Sequence, residues 1–361
     1  KRQVMISSES LFKFFKNKKI EFFVGVPDSL QKNLETHFKK IGKTPLLRVR
    51  LKYKNKPLNI WAKFEALNLT GSIKDRMAIH IIEQAYKKNE IDPESVIAEA
   101  TSGNTGISFS GIGNQLGHKV KIYMPNWMSK ERIQRIKSYG AEIIPVSREE
   151  GGFLGSIALT EKYASEENNV FLPKQFSNKA NIEAHYLTTG PEILEQMHKV
   201  GNTPTGFVAG VGTGGTVMGV GKYLTENISN ISINPLEPAN SPTLKTGHKN
   251  GKHRIQGISD EFIPEIVNLQ WLDEIIDVWD GDAIIMSQMI FKKLGLGVGI
   301  SSGANLIGAI KLAKKQNFDG VVCTIFCDCN KKYLSTDYSS NEKMENHYIS
   351  KDVELLDLSF F

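Results

Sequence analysis

Lys74 stands in the run Asn68-Leu-Thr-Gly-Ser-Ile-Lys-Asp-Arg76, just past a Thr-Gly-Ser turn. There an apolar strand-like stretch, Leu58–Phe64, gives way to a helical pattern. A lysine at the mouth of a helix is poorly placed for a surface ion pair. It is well placed to capture an aldehyde cofactor as a Schiff base. Two further loops could complete such a site: Thr101-Ser-Gly-Asn-Thr-Gly106 and Gly212-Thr-Gly-Gly-Thr216. Each follows an apolar run and opens a helical one. Backbone N–H groups and hydroxyls would therefore converge on an anion at a helix N-terminus.

A substrate α-carboxylate suits the first loop. Its bland reading is a helix N-cap with turn glycines, which needs one Ser or Asn rather than this density. The second loop, extended back to Gly210, matches the G-x-G-x-x-G dinucleotide fingerprint, and Glu237 closes the next strand where a ribose-binding acid would belong. NAD therefore competes at this point. Thr213 and Thr216 favour a single phosphate, because hydroxyls and glycine amides together can saturate a monoester dianion. Ser301, in Ile300-Ser-Ser-Gly-Ala304, reads alone as an N-cap, and Gln175-Phe-Ser-Asn178 reads alone as a polar loop.

Other candidates carry less. Gly42-Lys43-Thr44 lacks the upstream glycine of a P-loop, since His37 stands there. Asn68-Leu-Thr70 fits a glycosylation sequon with nothing to place it in a secretory route. Cys323, Cys327 and Cys329 match no common zinc spacing, share one strand parity and read as packing residues. No metal site is expected.

The elements that must hold these loops alternate. Strands are expected at Leu58–Phe64, Ser95–Ala100, Lys119–Met124, Glu142–Val146, Gly206–Val211, Ile231–Leu236, Glu274–Trp279 and Val321–Phe326. Helices are expected at Lys74–Lys88, Thr105–Leu116, Ser129–Tyr139, Gly152–Glu166, Thr216–Thr225, Asp282–Lys293 and Gly303–Lys315. Such alternation predicts an α/β fold of parallel sheets covered by helices on both faces, with ligands at the carboxyl ends of the strands. The tail Val353-Glu-Leu-Leu-Asp-Leu reads as an edge strand or docking tail.

The chain has 361 residues and can bury a large core. Its net charge of +6 comes from scattered lysines with no aromatic-basic interleaving, so no nucleic-acid partner is expected. No apolar run reaches membrane-spanning length, and Lys1 to Ser10 lack a secretory signal's apolar core. Three cysteines in one short segment point to a reducing cytoplasm rather than a disulfide framework.

Taken together, these segments resemble the cysteine synthase and cystathionine β-synthase family of pyridoxal-phosphate (PLP) enzymes, fold type II, from about Ile41 to Asp337. The motifs that carry the resemblance are Gly71-Ser-Ile-Lys-Asp-Arg76, Thr101-Ser-Gly-Asn-Thr-Gly106, Gln175-Phe-Ser-Asn178, Gly210-Val-Gly-Thr-Gly-Gly-Thr216, His253-Arg-Ile-Gln-Gly257 and Gly299-Ile-Ser-Ser-Gly303. The resemblance implies PLP rather than NAD. It implies that Lys74 holds PLP, Asn104 bonds the ring hydroxyl, Gly212, Thr213, Gly214, Gly215 and Thr216 cradle the phosphate, and Ser301 faces the pyridine nitrogen. It implies that Thr101, Ser102, Gly103, Thr105 and Gln175 receive the substrate carboxylate. It also implies two three-layer α/β/α domains with the cofactor between them, in a homodimer. The large domain would be 41–94 and 144–338, the small mobile one 95–143, the tail 339–361, and 1–40 an N-terminal extension.

The implied reaction is β-elimination and β-replacement on an L-serine-type amino acid through an α-aminoacrylate. Cysteine synthase, joining O-acetylserine and sulfide, leads. A cysteine or serine β-lyase or β-replacement enzyme is the alternative, and a weakly active scaffold relative is a third. Two departures bear on this choice. After Ile255-Gln-Gly257 the sequence runs Ser259-Asp-Glu-Phe262 where the family has Gly-Ala-Gly-Phe, so Asp260 could activate an incoming water or thiol. Cys327-Asp-Cys-Asn330 replaces the usual Pro-Asp-Ser-Gly. Residues 5–33 resemble the N-terminal start of phosphonopyruvate decarboxylase, too short a piece for thiamine chemistry.

Overall fold

The computed structural model describes residues 41–259 and 261–361. The expectations for residues 1–40 and for Asp260 lie outside the described residues. The described strands are β1 (Leu46–Tyr53), β2 (Lys56–Phe64), β3 (Val96–Ala100), β4 (Val120–Pro125), β5 (Glu142–Val146), β6 (Val170–Phe171), β7 (Gly206–Gly210), β8 (Ser232–Pro238), β9 (Ile276–Val278), β10 (Val322–Phe326) and β11 (Val353–Phe360). The α-helices are α1 (Lys74–Lys87), α2 (Asn104–Gln115), α3 (Lys130–Ser138), α4 (Gly152–Glu166), α5 (Ala180–Ala184), α6 (Gly190–Lys199), α7 (Gly215–Asn227), α8 (Thr243–Thr246), α9 (Asp280–Leu294) and α10 (Ile300–Lys315).

The strands form two sheets. The larger has the order β11-β1-β2-β10-β7-β8-β9, and the smaller has the order β5-β4-β3-β6. The smaller sheet is parallel throughout, as is the larger from β2 to β9. The α/β fold expected from alternation is therefore present, with one difference at an edge. β1 pairs antiparallel with both β2 and β11, and was not among the expected strands. β1 and β2 are joined by a tight turn at Lys54 and Asn55, both at positive φ, so they form a hairpin rather than a crossover. The tail expected as an edge strand occupies that edge as β11.

Burial explains why the central strands read as continuous apolar runs. In β10, Val322 and Phe326 join a core with Leu306, Ile310 and Ile284 on one face. Cys323 and Ile325 join a second core with Phe207, Ala209 and Val217 on the other. All five residues of β10 are buried. The smaller sheet has its own core, in which Ile97 and Ile122 pack against Ile107 of α2 and Ile136 of α3. Three cores fix two layered sheets, and the loops that leave the carboxyl ends of β3, β7 and β10 meet at the cleft.

Candidate active site

Lys74 is the first residue of α1 and is half-buried in that cleft. Gly71, at φ +85°, turns the chain before it in a conformation that a side chain would strain. Asp75 pins the turn. Its carboxylate accepts the Thr70 amide at 2.6 Å, the Thr70 hydroxyl, and the Ser108 hydroxyl of α2 at 2.6 Å. Burial pushes the pKa of Asp75 up, against those bonds. Ile73 donates its amide to the Cys327 carbonyl at 3.0 Å, which ties the turn to the end of β10.

The Thr101–Thr105 loop leaves β3 and opens α2, and all five of its residues line the same cleft. The Thr105 hydroxyl donates to Gln175 Oε1 at 2.6 Å, and Gln175 Nε2 donates to the Ala100 carbonyl at 2.9 Å. Gln175 thus braces the loop from another segment of the chain. Below it, burial raises Glu99 to a pKa of about 8, although amides of Gln175 and Ala100 oppose the shift.

The glycine turn leaves β7 and opens α7, and Gly212, Thr213 and Thr216 line the cleft. Gly214 and Gly215 shape the turn from behind. Gly214 has φ +86°, and a Cβ there would lie 2.1 Å from Val267 Cγ2. A Cβ on Gly215 would lie 2.0 Å from Asn181 Oδ1, and one on Gly212 would lie 2.3 Å from the Gly257 carbonyl oxygen. The first amides of a helix have no intrahelical acceptor, so this turn presents donors to an anion. Asn181 Nδ2 donates to Thr213 Oγ1 at 2.9 Å, and Thr216 Oγ1 lies 3.3 Å from His185 Nε2. Burial, with Arg76 and Lys74 nearby, holds the His185 pKa well below its usual value, so it stays neutral at physiological pH.

Ser301, in the first turn of α10, is buried and faces the cleft beside Cys327 and Asn305. Asn305 accepts the Gly210 amide at 2.9 Å and donates to the Ile325 carbonyl at 2.7 Å, so it links β7 to β10 under the cleft. Burial pushes the Cys327 thiol up to about 12, which leaves it an uncharged wall. The other cysteines are also free thiols. Glu237, the acid of the dinucleotide reading, instead accepts the Leu244 amide at 2.6 Å.

Lys74, the Thr101–Thr105 loop, Gln175, Gly212, Thr213, Thr216 and Ser301 therefore converge on one cleft, and Asp260 lies outside the described residues. A lysine amine, a hydroxyl for a ring nitrogen, an amide side chain and a helix N-terminal turn free of side-chain bulk fit PLP. Gln256, Gly257 and Ile258 line another side of the cleft, and the amide of the next residue, Ser259, donates to the Val211 carbonyl at 2.7 Å. A family model described as pyridoxal-phosphate dependent enzyme matches residues 38–328.

The chain belongs to this family.

The cofactor of these pyridoxal-phosphate dependent enzymes is PLP, and NAD is set aside. A probable cysteine synthase of Bacillus subtilis is 41% identical over 297 residues, covering 82% of this chain and 95% of that protein. A hydrogen sulfide-producing enzyme from Fusobacterium nucleatum is similar in structure, with a TM-score of 0.88 and 55% identity, covering 91% of this chain and 99% of that one. A cysteine synthase from Entamoeba histolytica aligns with a TM-score of 0.78 and 34% identity, covering 97% and 98%. Within the pyridoxal-phosphate dependent enzyme, several supporting residues had no local signal in the sequence. Asn181, His185 and Asn305 are polar residues inside helical runs, marked only by standing where an apolar residue would be expected.

Proposed function

We propose that this chain catalyses β-elimination and β-replacement on an L-serine-type amino acid, with cysteine synthesis as its leading reaction. O-acetyl-L-serine and hydrogen sulfide give L-cysteine and acetate. The observation that carries the reading is the convergence of Lys74, the Thr101–Thr105 loop and the Gly212–Thr216 turn on one cleft. Cysteine synthase relatives that span most of the chain support it.

PLP, when bound, supplies an electron sink for the bonds at the substrate α-carbon. In this reading Lys74 holds the cofactor, then takes the proton from the α-carbon and returns it. Gly212 to Thr216 seat the phosphate. Ser301 offers the ring nitrogen a neutral hydroxyl, and Asn104 faces the ring oxygen. Thr101, Ser102, Gly103, Thr105 and Gln175 hold the substrate carboxylate. The unit around the smaller sheet, centred on residues 95–143, closes over the amino acid and excludes water. A homodimer in the cytoplasm completes the reading, on the family resemblance and the free cysteines. Among the described residues no helix is long and apolar enough to cross a membrane.

A second reading has one specific support, the 55% identity to a hydrogen sulfide-producing enzyme. In it L-cysteine and water give L-serine and hydrogen sulfide. The carbon–sulfur bond that breaks here is the one that forms in cysteine synthesis, so one site can serve both. Asp260 would take the proton of the water.

The experiment is a comparison of kcat/KM for O-acetylserine with sulfide against cysteine with water. O-phosphoserine and serine are added as further donors, and each product is identified. Preference for O-acetylserine supports the leading reading. Preference for cysteine, reduced in Asp260→Asn, supports the second. No turnover with any of the four donors removes both.

A further inference from the structure

Asn104 is gripped by two buried charges of opposite sign. Lys332 Nζ donates to Asn104 Oδ1 at 2.8 Å, and Asn104 Nδ2 donates to Asp328 Oδ2 at 2.8 Å. Lys332 and Asp328 side chains are both 0% exposed and 3.9 Å apart. An ammonium can only donate and a carboxylate can only accept, so one amide orientation satisfies both. The flipped amide would set its NH2 against the ammonium and its carbonyl against the carboxylate, and burial strengthens both repulsions. Asp328 uses one of the two Nδ2 hydrogens. The other belongs to a side chain that lines the cleft.

The same pair also touches the segments that carry Lys74 and Ser301. Lys332 Nζ also donates to the Gly71 carbonyl at 2.9 Å, in the turn that carries Lys74. Ser72 forms an isolated bridge with Asp328. The Gly299 amide, at the entry to the Ser301 helix, donates to the Asp328 carbonyl at 3.0 Å. Tyr333 donates its hydroxyl to Asp328 Oδ2 at 2.7 Å. A Cβ on Gly299 would lie 2.1 Å from Asp328 Oδ1, so the carboxylate is seated against bare backbone.

We infer that Asp328 and Lys332 are positioning residues that lock the Asn104 amide with a donor N–H facing the PLP ring oxygen. The inference rests on the proposed function for the placement of PLP. Both residues act through Asn104 and neither need touch substrate. The lock also joins the smaller sheet, through α2, to the end of β10 in the larger.

The test is a double-mutant cycle on holoenzyme with Lys332→Met, Asn104→Ala and the double variant. The PLP dissociation constant and the position of the bound cofactor's visible band are the readouts. Each single variant should weaken PLP about 3- to 10-fold, the loss of one hydrogen bond, and move the band the same way. The double variant should weaken PLP by clearly less than the product of the two single losses, because the part of the Lys332 effect carried by Asn104 is already gone and only its bond to the Gly71 carbonyl remains. Multiplying losses, or a Lys332→Met enzyme with the wild-type constant and band, would overturn the inference. Lys332→Arg and Asp328→Asn guard against misfolding of the first variant: the former should keep the wild-type band and the latter should shift it. The reverse pattern also overturns the inference. A wild-type chain that binds no PLP would instead fail the proposed function.

Discussion

Arg76 closes on Glu65 through two parallel hydrogen bonds, 2.6 Å from Nε and 2.8 Å from Nη2, two residues beyond Lys74. Both side chains are buried, and Arg76 also donates to both oxygens of Glu192 at 2.8 Å. Lys63 completes the cluster at 2.8 Å from Glu192. The charges of Arg76 and Lys63 hold Glu192 down at about 2 despite its burial. Arg76→Met would leave the fully buried Glu65 without its ion-pair partner, while Glu192 keeps Lys63. A loss of about 3–5 kcal/mol in urea unfolding is expected, the usual effect of breaking a buried ion pair. An unchanged midpoint would show that the cluster does not anchor α1.

Lys74→Ala should stop turnover and end covalent retention of PLP. Borohydride treatment followed by denaturation and mass spectrometry should show the cofactor's added mass on the wild-type chain and none on the variant. A variant that still carries the mass would place the link on another lysine, with the buried Lys332 the first to test.

Gly212→Ala places a methyl group 2.3 Å from a backbone carbonyl that cannot rotate away. PLP affinity should fall by tenfold or more, about 1.4 kcal/mol, with little change in the KM for the amino acid once PLP is saturating. A larger effect on KM than on PLP binding would move the turn's role from cofactor to substrate.

Gln175→Ala removes both the acceptor for Thr105 and the brace on the Ala100 carbonyl. The KM for the amino-acid substrate should rise about tenfold, roughly one charge-assisted hydrogen bond, while the PLP band stays in place. Steady-state kinetics together with the visible spectrum check this. A shifted band with unchanged KM would count against a carboxylate-binding loop.

Glu99 titrates near 8 in the folded chain and in the ordinary carboxylate range when unfolded. Between those values the folded state holds the extra proton. Stability should therefore fall as pH rises through that window, by up to ~1.4 kcal/mol per unit, and level off above it. Glu99→Gln carries no such proton. Its melting temperature should gain on the wild type from pH 5 to 8, and parallel curves would dismiss the effect.

The site was legible wherever chemistry sits on a glycine turn between a strand and a helix. Lys74, the Thr101–Thr105 loop and the Gly212–Thr216 turn each carry that local signature, and the topology gathers strand ends in one place. The alternation of Leu47, Val49 and Leu51 with Arg48, Arg50 and Lys52 belongs to β1, a local period-two signal outside the expected set; β1 pairs with the adjacent β2 and with β11, some three hundred residues away. Partners distant in sequence hid the buried polar braces. Lys332 and Asn104 are 228 positions apart, and a lysine near the chain's end has no local mark of an interior position. His185 begins a short π-helical turn, His185–Thr189, whose wider ring no periodicity rule anticipates.

The close approach of Gly212 to the Gly257 carbonyl, together with the Ser259–Val211 hydrogen bond, couples the 256–258 wall of the cleft to the turn proposed to hold the phosphate. Redesigning the 256–259 segment to admit a bulkier acceptor would therefore loosen the grip on the vitamin at its far end. Acceptor range and cofactor retention should trade against each other in any engineered descendant of this chain.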